Sequence, residues 1–192
     1  MKILRAAGHK RMPWKNGGGE TVEIAISPDG AGLADFDWRV SMATVASDGP
    51  FSSFPGIDRT LSILEGNGME LFIEGREPVL LTQESDPLAF AADISVSATL
   101  PDGTITDLNV MTRRNALRHT VARLGIDGRK SEELSQGSFL LFCARGKVTA
   151  EAGGDTIELG TGDALLIEES GRLSLDGRAL CYAISIDKAE KQ

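Results

Sequence analysis

Histidine is scarce in this sequence: His9 and His119 are the only two among 192 residues. A transition-metal site built from a His-x-His pair, a carboxylate and a later histidine cannot be assembled from them, so no metal and no cofactor is expected. Both histidines read as loop or surface residues. Cysteine is equally sparse. Cys143 and Cys181 sit in the apolar runs FLLFCA and ALCYAISI and read as buried free thiols, a bridge between adjacent strands being the alternative. No Gly-x-Ser-x-Gly elbow is present, and no exposed thiol beside a base, so no catalytic residue is assigned. With a net charge of −8 and Arg113-Arg114 as the only arginine pair, no basic patch exists for nucleic acid or an anionic membrane. Neither a signal-peptide core nor an apolar run of bilayer length occurs, and a soluble, cytoplasmic protein is expected. Aromatic residues make up only 5%, which gives each tryptophan unusual weight.

Helical periodicity is nearly absent as well, and what fills the chain instead is short alternating runs separated by turn residues. Thr21–Ser27 places Val22, Ile24 and Ile26 on one face; Trp38–Val45 sends Trp38, Val40 and Met42 one way and Arg39, Ser41 and Ala43 the other. Further strands are expected at 59–64, 69–73, 79–82, 88–90, 94–98 and 108–111, and from 139 onward at 139–144, 147–152, 156–159, 164–168, 173–175 and 180–186. Leu61-Ser62-Ile63-Leu64-Glu65-Gly66 recurs as Leu141-Phe142-Cys143-Ala144-Arg145-Gly146, 80 positions later. Each copy leads to an Asp-x-apolar-x-apolar step, at Asp86 and at Asp163. Strand, glycine turn, strand and Asp-bearing turn suggest an all-β fold of two tandem jelly-roll barrels, a bicupin of the cupin (RmlC-like) type. The expected division is a first barrel over 1–113, a connector over 114–137 with one strand near 121–124, and a smaller second barrel over 138–192.

Met12-Pro13-Trp14-Lys15-Asn16-Gly17-Gly18-Gly19-Glu20 is the densest stretch. Three glycines in succession exclude a helix and let the backbone turn with positive φ, where successive N–H groups can converge on an anion. The same loop can instead be a tight turn whose Trp14 plugs a core edge while Lys15 and Glu20 are solvated. Polar residues gather in this half: Arg39 and Ser41 on one strand face, Arg59 after an aromatic loop, then Asp107, Asn109 and Met111 alternating onto one face before Arg113. A buried Asn109 requires a ligand or a neighbour to bond. Arginine forks suit carboxylates, although Arg39, Arg59 and Arg113 can also pair internally with Glu20, Glu65 or Asp107.

These motifs, with Trp38-Arg39-Val40-Ser41-Met42-Ala43, the run from Asp48 to Arg59, Leu64-Glu65-Gly66 and the run from Asp107 to Arg114, resemble the HutD/Ves family over the first 115 or so residues. The resemblance implies a cupin-type double barrel associated with histidine utilisation, and a metabolite such as N-formylglutamate as ligand. The expected function is a non-metal protein that binds a small carboxylated metabolite through Trp14, Lys15, Asn16, Gly17, Gly18, Gly19, Glu20, Arg39, Ser41, Arg59, Asn109 and Arg113. The alternative is a metal-independent isomerase or hydrolase with Glu20 or Glu65 as base and Lys15 as electrostatic stabiliser. No visible nucleophile–base pair favours that alternative. Association into a homodimer through exposed strand edges is a further expectation.

Overall fold

The computed structural model describes residues 1–15 and 17–189. Its strands are β1 (Lys2–Leu4), β2 (Lys10–Pro13), β3 (Gly19–Ser27), β4 (Trp38–Val45), β5 (Gly49–Pro50), β6 (Ile57–Glu65), β7 (Met69–Ile73) and β8 (Val79–Leu81). They continue as β9 (Leu88–Ala91), β10 (Val96–Thr99), β11 (Ile105–Arg113), β12 (Leu117–Leu134), β13 (Ser138–Ala152), β14 (Asp155–Gly160), β15 (Ala164–Ile167) and β16 (Gly171–Lys188). A single 3-10 turn at Ala6–Gly8 is the only helical element among the described residues. No helix there is long and apolar enough to cross a membrane.

The all-β expectation holds, and the chain divides into two compact units. The unit spanning Lys10–Arg118 carries a sheet ordered β2-β3-β4-β11-β6-β9 and a second ordered β5-β10-β7-β8. Leu61, Met69, Leu71 and Ile105, none more than 1% exposed, anchor its apolar core. The bulge between Glu23 and Ala25 matters for what this core surrounds. It shifts the phase of β3, so that Ile26 falls opposite Arg39 and not on the face of Val22.

The other unit joins Met1–His9 to the chain from His119 onward, around a sheet ordered β1-β15-β13-β16-β12 with β14 on β13. This differs from the expected boundaries at both ends. The first nine residues belong with the C-terminal strands, and the expected connector is mostly strand β12, 18 residues long. Its exposed residues include several charges, and Arg129 and Asp127 reach Asp176 and Arg178 of β16 at 3.3 Å each. Charge on both faces hides the alternation that Leu124 and Ile126 continue into the core. Cys143 and Cys181 are register partners, both buried and both free.

The sequence repeat reappears in backbone geometry. Gly66 (φ 89°) and Gly146 (φ 90°) are both left-handed, and a Cβ at either would press into a backbone carbonyl, Thr104 or Arg178. At the equivalent of the Asp step, Asp163 accepts from the Ala6 N–H (2.9 Å), the Gly160 N–H (3.1 Å) and the Arg5 guanidinium (2.7 Å). Those bonds seat β1 against β15, Ile3 opposite Leu165. Burial pushes the Asp163 carboxyl upward, but the bonds from Ala6, Gly160 and Arg5 outweigh it and hold the group below its ordinary range.

A folded pKa below the unfolded one stabilises above the unfolded value near pH 4, and that stability is lost as pH falls through the folded value. Asp163→Asn should therefore lower the opening free energy of the β15 amides by about 1–3 kcal/mol at pH 7. Hydrogen exchange should show this, with the difference from wild type shrinking below pH 4.

Candidate functional site

The inner face of the six-stranded sheet in the Lys10–Arg118 unit reads as rows across the strands. Thr21, Ala43, Asp107 and Ile63 form one; Glu23, Ser41, Asn109 and Leu61 form the next; Arg39, Met111 and Arg59 form the third. In that third row the two arginines flank Met111 on β4 and β6. Alternation along β4 and β11 delivers all of these side chains to one face, because Arg39, Ser41 and Ala43 and then Asp107, Asn109 and Met111 are two residues apart. This face floors a cavity of about 790 Å³. Trp14, Leu33, Phe51 and Phe54 supply its apolar walls, and Lys15 and Asp48 also line it.

The charges on the floor are held differently. Arg39 is paired: its Nε donates to Glu23 Oε2 at 2.7 Å, with both side chains largely buried. Arg59 is 5% exposed, and its Nε is a buried donor with no partner. Its Nη2 donates to the Ser52 carbonyl at a long 3.5 Å. Aromatic faces stand where water would be, with Cζ at 5.2, 5.4 and 5.9 Å from the ring centroids of Phe51, Phe54 and Phe90. Burial lowers the Arg59 guanidinium to about 10; Asp107 opposes that shift and Arg39 adds to it. It remains a cation at neutral pH.

Asp107 is 1% exposed and accepts from Asn109 Nδ2 at 2.5 Å. Burial pushes its carboxyl up to about 7, against the opposing pull of Arg59, the Ala43 N–H and the Asn109 amide. The floor thus holds a fixed cation without a hydrogen-bonded counterion beside a carboxyl poised near neutrality.

Of the residues expected from the sequence, Trp14, Lys15, Arg39, Ser41, Arg59 and Asn109 line this one cavity. Asn16 lies outside the described residues. Glu20 faces away and pairs with Arg11 at 2.6 Å. Arg113 holds the Phe36 carbonyl at 2.6 Å and neighbours Asp37 at 3.6 Å, beyond the cavity lining. Gly17, Gly18 and Gly19 do not line the cavity either. Their loop closes the turn between β2 and β3: the Gly17 N–H donates to the Trp14 carbonyl at 3.0 Å and the Trp14 N–H to the Gly19 carbonyl at 2.9 Å. The indole lies over Gly19, where an added Cβ would stand 2.9 Å from Trp14 Cζ3, and its Nε1–H donates to Thr21 Oγ1 at 2.8 Å. An added Cβ at Gly19 would also press, more closely still, into the Thr44 carbonyl of β4, so this glycine lets β3 pass close to β4 and leaves room for the indole that walls the cavity. Asp107 and the phenylalanine cluster are additions to the expected set. Alternation of Asp107 with Asn109 is the signal that points to the first; nothing local in the sequence marks Phe90 as a companion of Arg59. Among the described residues, no three of His, Cys, Asp and Glu converge as a metal-ligand group.

The architecture is that of a cupin-type protein. A cupin 2 conserved barrel domain protein from Leptotrichia buccalis superposes with a TM-score of 0.60 at 13% identity, covering 93% of this chain and 96% of that one, a likeness of fold alone. More specifically, the chain belongs to the HutD family, whose model matches residues 6–183. It is 37% identical over 175 residues to a Pseudomonas putida protein of the hutC 3′ region, covering 90% of each chain. It is 36% identical over 174 residues to Protein Ves of Citrobacter koseri, covering 88% of this chain and 82% of that one. The structure of HutD from Pseudomonas fluorescens SBW25, in a formate condition, aligns with a TM-score of 0.83 and 32% identity over 98% of this chain and 99% of that one.

Gly19→Ala should drive a Cβ into both the Thr44 carbonyl and the indole, so that β3 and Trp14 shift together. The expected result is a loss of about 1–3 kcal/mol of stability from overpacking, with a displaced Trp14 Nε1–H resonance. An unchanged resonance would mean the loop yields without moving the tryptophan.

Proposed function

We propose that the cavity of the Lys10–Arg118 unit binds a small carboxylated metabolite and that the protein is a non-catalytic accessory of histidine utilisation in the cytoplasm. In this reading both units are jelly-roll barrels, and the first carries the ligand. The observation that supports it most is Arg59, a buried cation with an unpartnered Nε, facing a cavity with apolar walls. A carboxylate is the group whose two oxygens match a guanidinium fork, and an arginine sheltered from water bonds it strongly. Asn109 and Ser41 stand in the adjacent row to accept or donate to an amide, and Lys15 stands among the lining residues as a cation for a second carboxylate. That combination suits an N-acylated amino diacid of the N-formylglutamate kind. The P. putida relative's position in the hutC 3′ region supports the pathway assignment.

A catalytic reading would have to use Asp107, because Glu20 is committed to Arg11 and Glu65 is exposed and absent from the cavity lining. Incubation of the protein with N-formylglutamate, followed by NMR, separates the two readings: a binder leaves the ligand unchanged.

Arg59→Ala should weaken N-formylglutamate binding by more than roughly tenfold, since an unpaired buried charge costs about 2–5 kcal/mol and about 1.4 kcal/mol is already tenfold. Arg172→Ala, in the other unit, should bind like wild type. Calorimetry on folded Arg59→Ala protein that returns wild-type affinity would make Arg59 structural.

A further inference from the structure

Accepting that an anionic ligand sits against Arg59, we infer that Asp107 sets the charge of the site, so that a carboxylate enters together with a proton. Charges face Asp107 from both strands packed against β11. From β4 comes Arg39, already neutralised by Glu23 of β3 at 2.7 Å. From β6 comes Arg59, whose Nε is unpartnered. Lys15 and Asp48 line the same cavity and oppose each other in sign, and Asp48 is engaged by the Leu100 N–H at 2.7 Å. With Asp107 ionised, the floor is neutral: Arg39 balances Glu23, and Arg59 balances Asp107. With Asp107 protonated, one positive charge is left over, and it is the one at Arg59.

A carboxylate arriving at Arg59 therefore meets one of two sites. Beside an ionised Asp107 it would place two carboxylates around one guanidinium on a buried floor, where like charges repel more strongly than in water. Beside a protonated Asp107 it finds an uncompensated cation and a carboxylic acid able to donate a hydrogen bond. Asp107 is suited to change state because it is buried, with only the Asn109 amide and the Ala43 N–H to hold its charge beside the field of Arg59. Burial holds its carboxyl near 7, so the two states coexist at neutral pH. The bound anion raises that value further, and the proton taken up is the linkage. Affinity is then full below the free-site value and falls as pH rises above it, by up to about tenfold per pH unit. Mildly acid conditions load the site and mildly alkaline conditions unload it.

The test uses the full-length protein and sodium formate, which is ionised throughout the range of interest. Dissociation constants are measured by NMR titration between pH 5.5 and 8.5 on wild type and on Asp107→Asn, which imitates the protonated acid. Wild type should bind formate with a constant that is flat at the acid end and rises roughly tenfold from pH 7.5 to 8.5. Asp107→Asn should bind with the acid-limit affinity of wild type at every pH. If Asp107→Asn does not fold, the wild type alone decides the matter: added at pH 8 in weakly buffered solution, formate should cause uptake of close to one proton per site filled. Saturable binding with a pH-independent constant, the same slope in Asp107→Asn, or no proton uptake overturns the coupling while leaving carboxylate binding intact. No saturable binding of formate to wild type at any pH overturns the coupling and the carboxylate site together.

Discussion

A guanidinium cannot be taken out of water without a replacement for water, and the Lys10–Arg118 unit is arranged around that constraint at Arg59. The usual replacement, a bidentate carboxylate, is missing. Three aromatic faces and a distant carbonyl stand in, and Asp107 acts on the cation through its field. Such a site holds a charge that a ligand can complete. The neighbouring Arg39 makes the contrast plain: one strand away, the same side chain is closed off by Glu23 and offers little to a newcomer.

The sheet makes this arrangement possible through register. Because β11 lies between β4 and β6, each inward residue of β11 has one neighbour on either side. Met111 separates the arginines, Asn109 sits between Ser41 and Leu61, and Asp107 between Ala43 and Ile63. Strands about 4.8 Å apart place the two arginine backbones roughly 10 Å from each other, far enough to limit repulsion while both line one cavity. The bulge in β3 supports the same pattern: Glu23, in phase with Thr21, points inward at Arg39, and the phase change after it brings Ile26 onto that face as well.

Much of this was legible from the chain. Alternation in Trp38–Val45 and around Asp107 to Met111 named the inward residues correctly, because period-two patterning survives wherever one face is buried. The repeat at an offset of 80 reported real local geometry, the left-handed Gly66 and Gly146 against backbone carbonyls. Legibility ended where the decisive contact was long-range. β1 is only three residues, and its place beside β15 depends on Arg5 and Ala6 meeting Asp163, more than 150 positions away. β12 carries charge on its outward face and polar residues among the inward ones, so it read as irregular. The glycine loop invited an anion-binding interpretation, yet its Gly17 N–H is spent on Trp14, and Gly19 has no room for a side chain because the Thr44 carbonyl and the indole both crowd it.

The most direct test of the account concerns the Arg59 guanidinium itself. Arginine Nε–H resonances of isotope-labelled protein can be recorded while N-formylglutamate is titrated to saturation, with Arg59 assigned by its disappearance in Arg59→Lys. The expected result is that the Arg59 Nε–H signal moves downfield in step with occupancy and then stops, as an unpartnered donor acquires an acceptor. Saturable binding that leaves the Arg59 signal where it stood in the free protein would contradict the account.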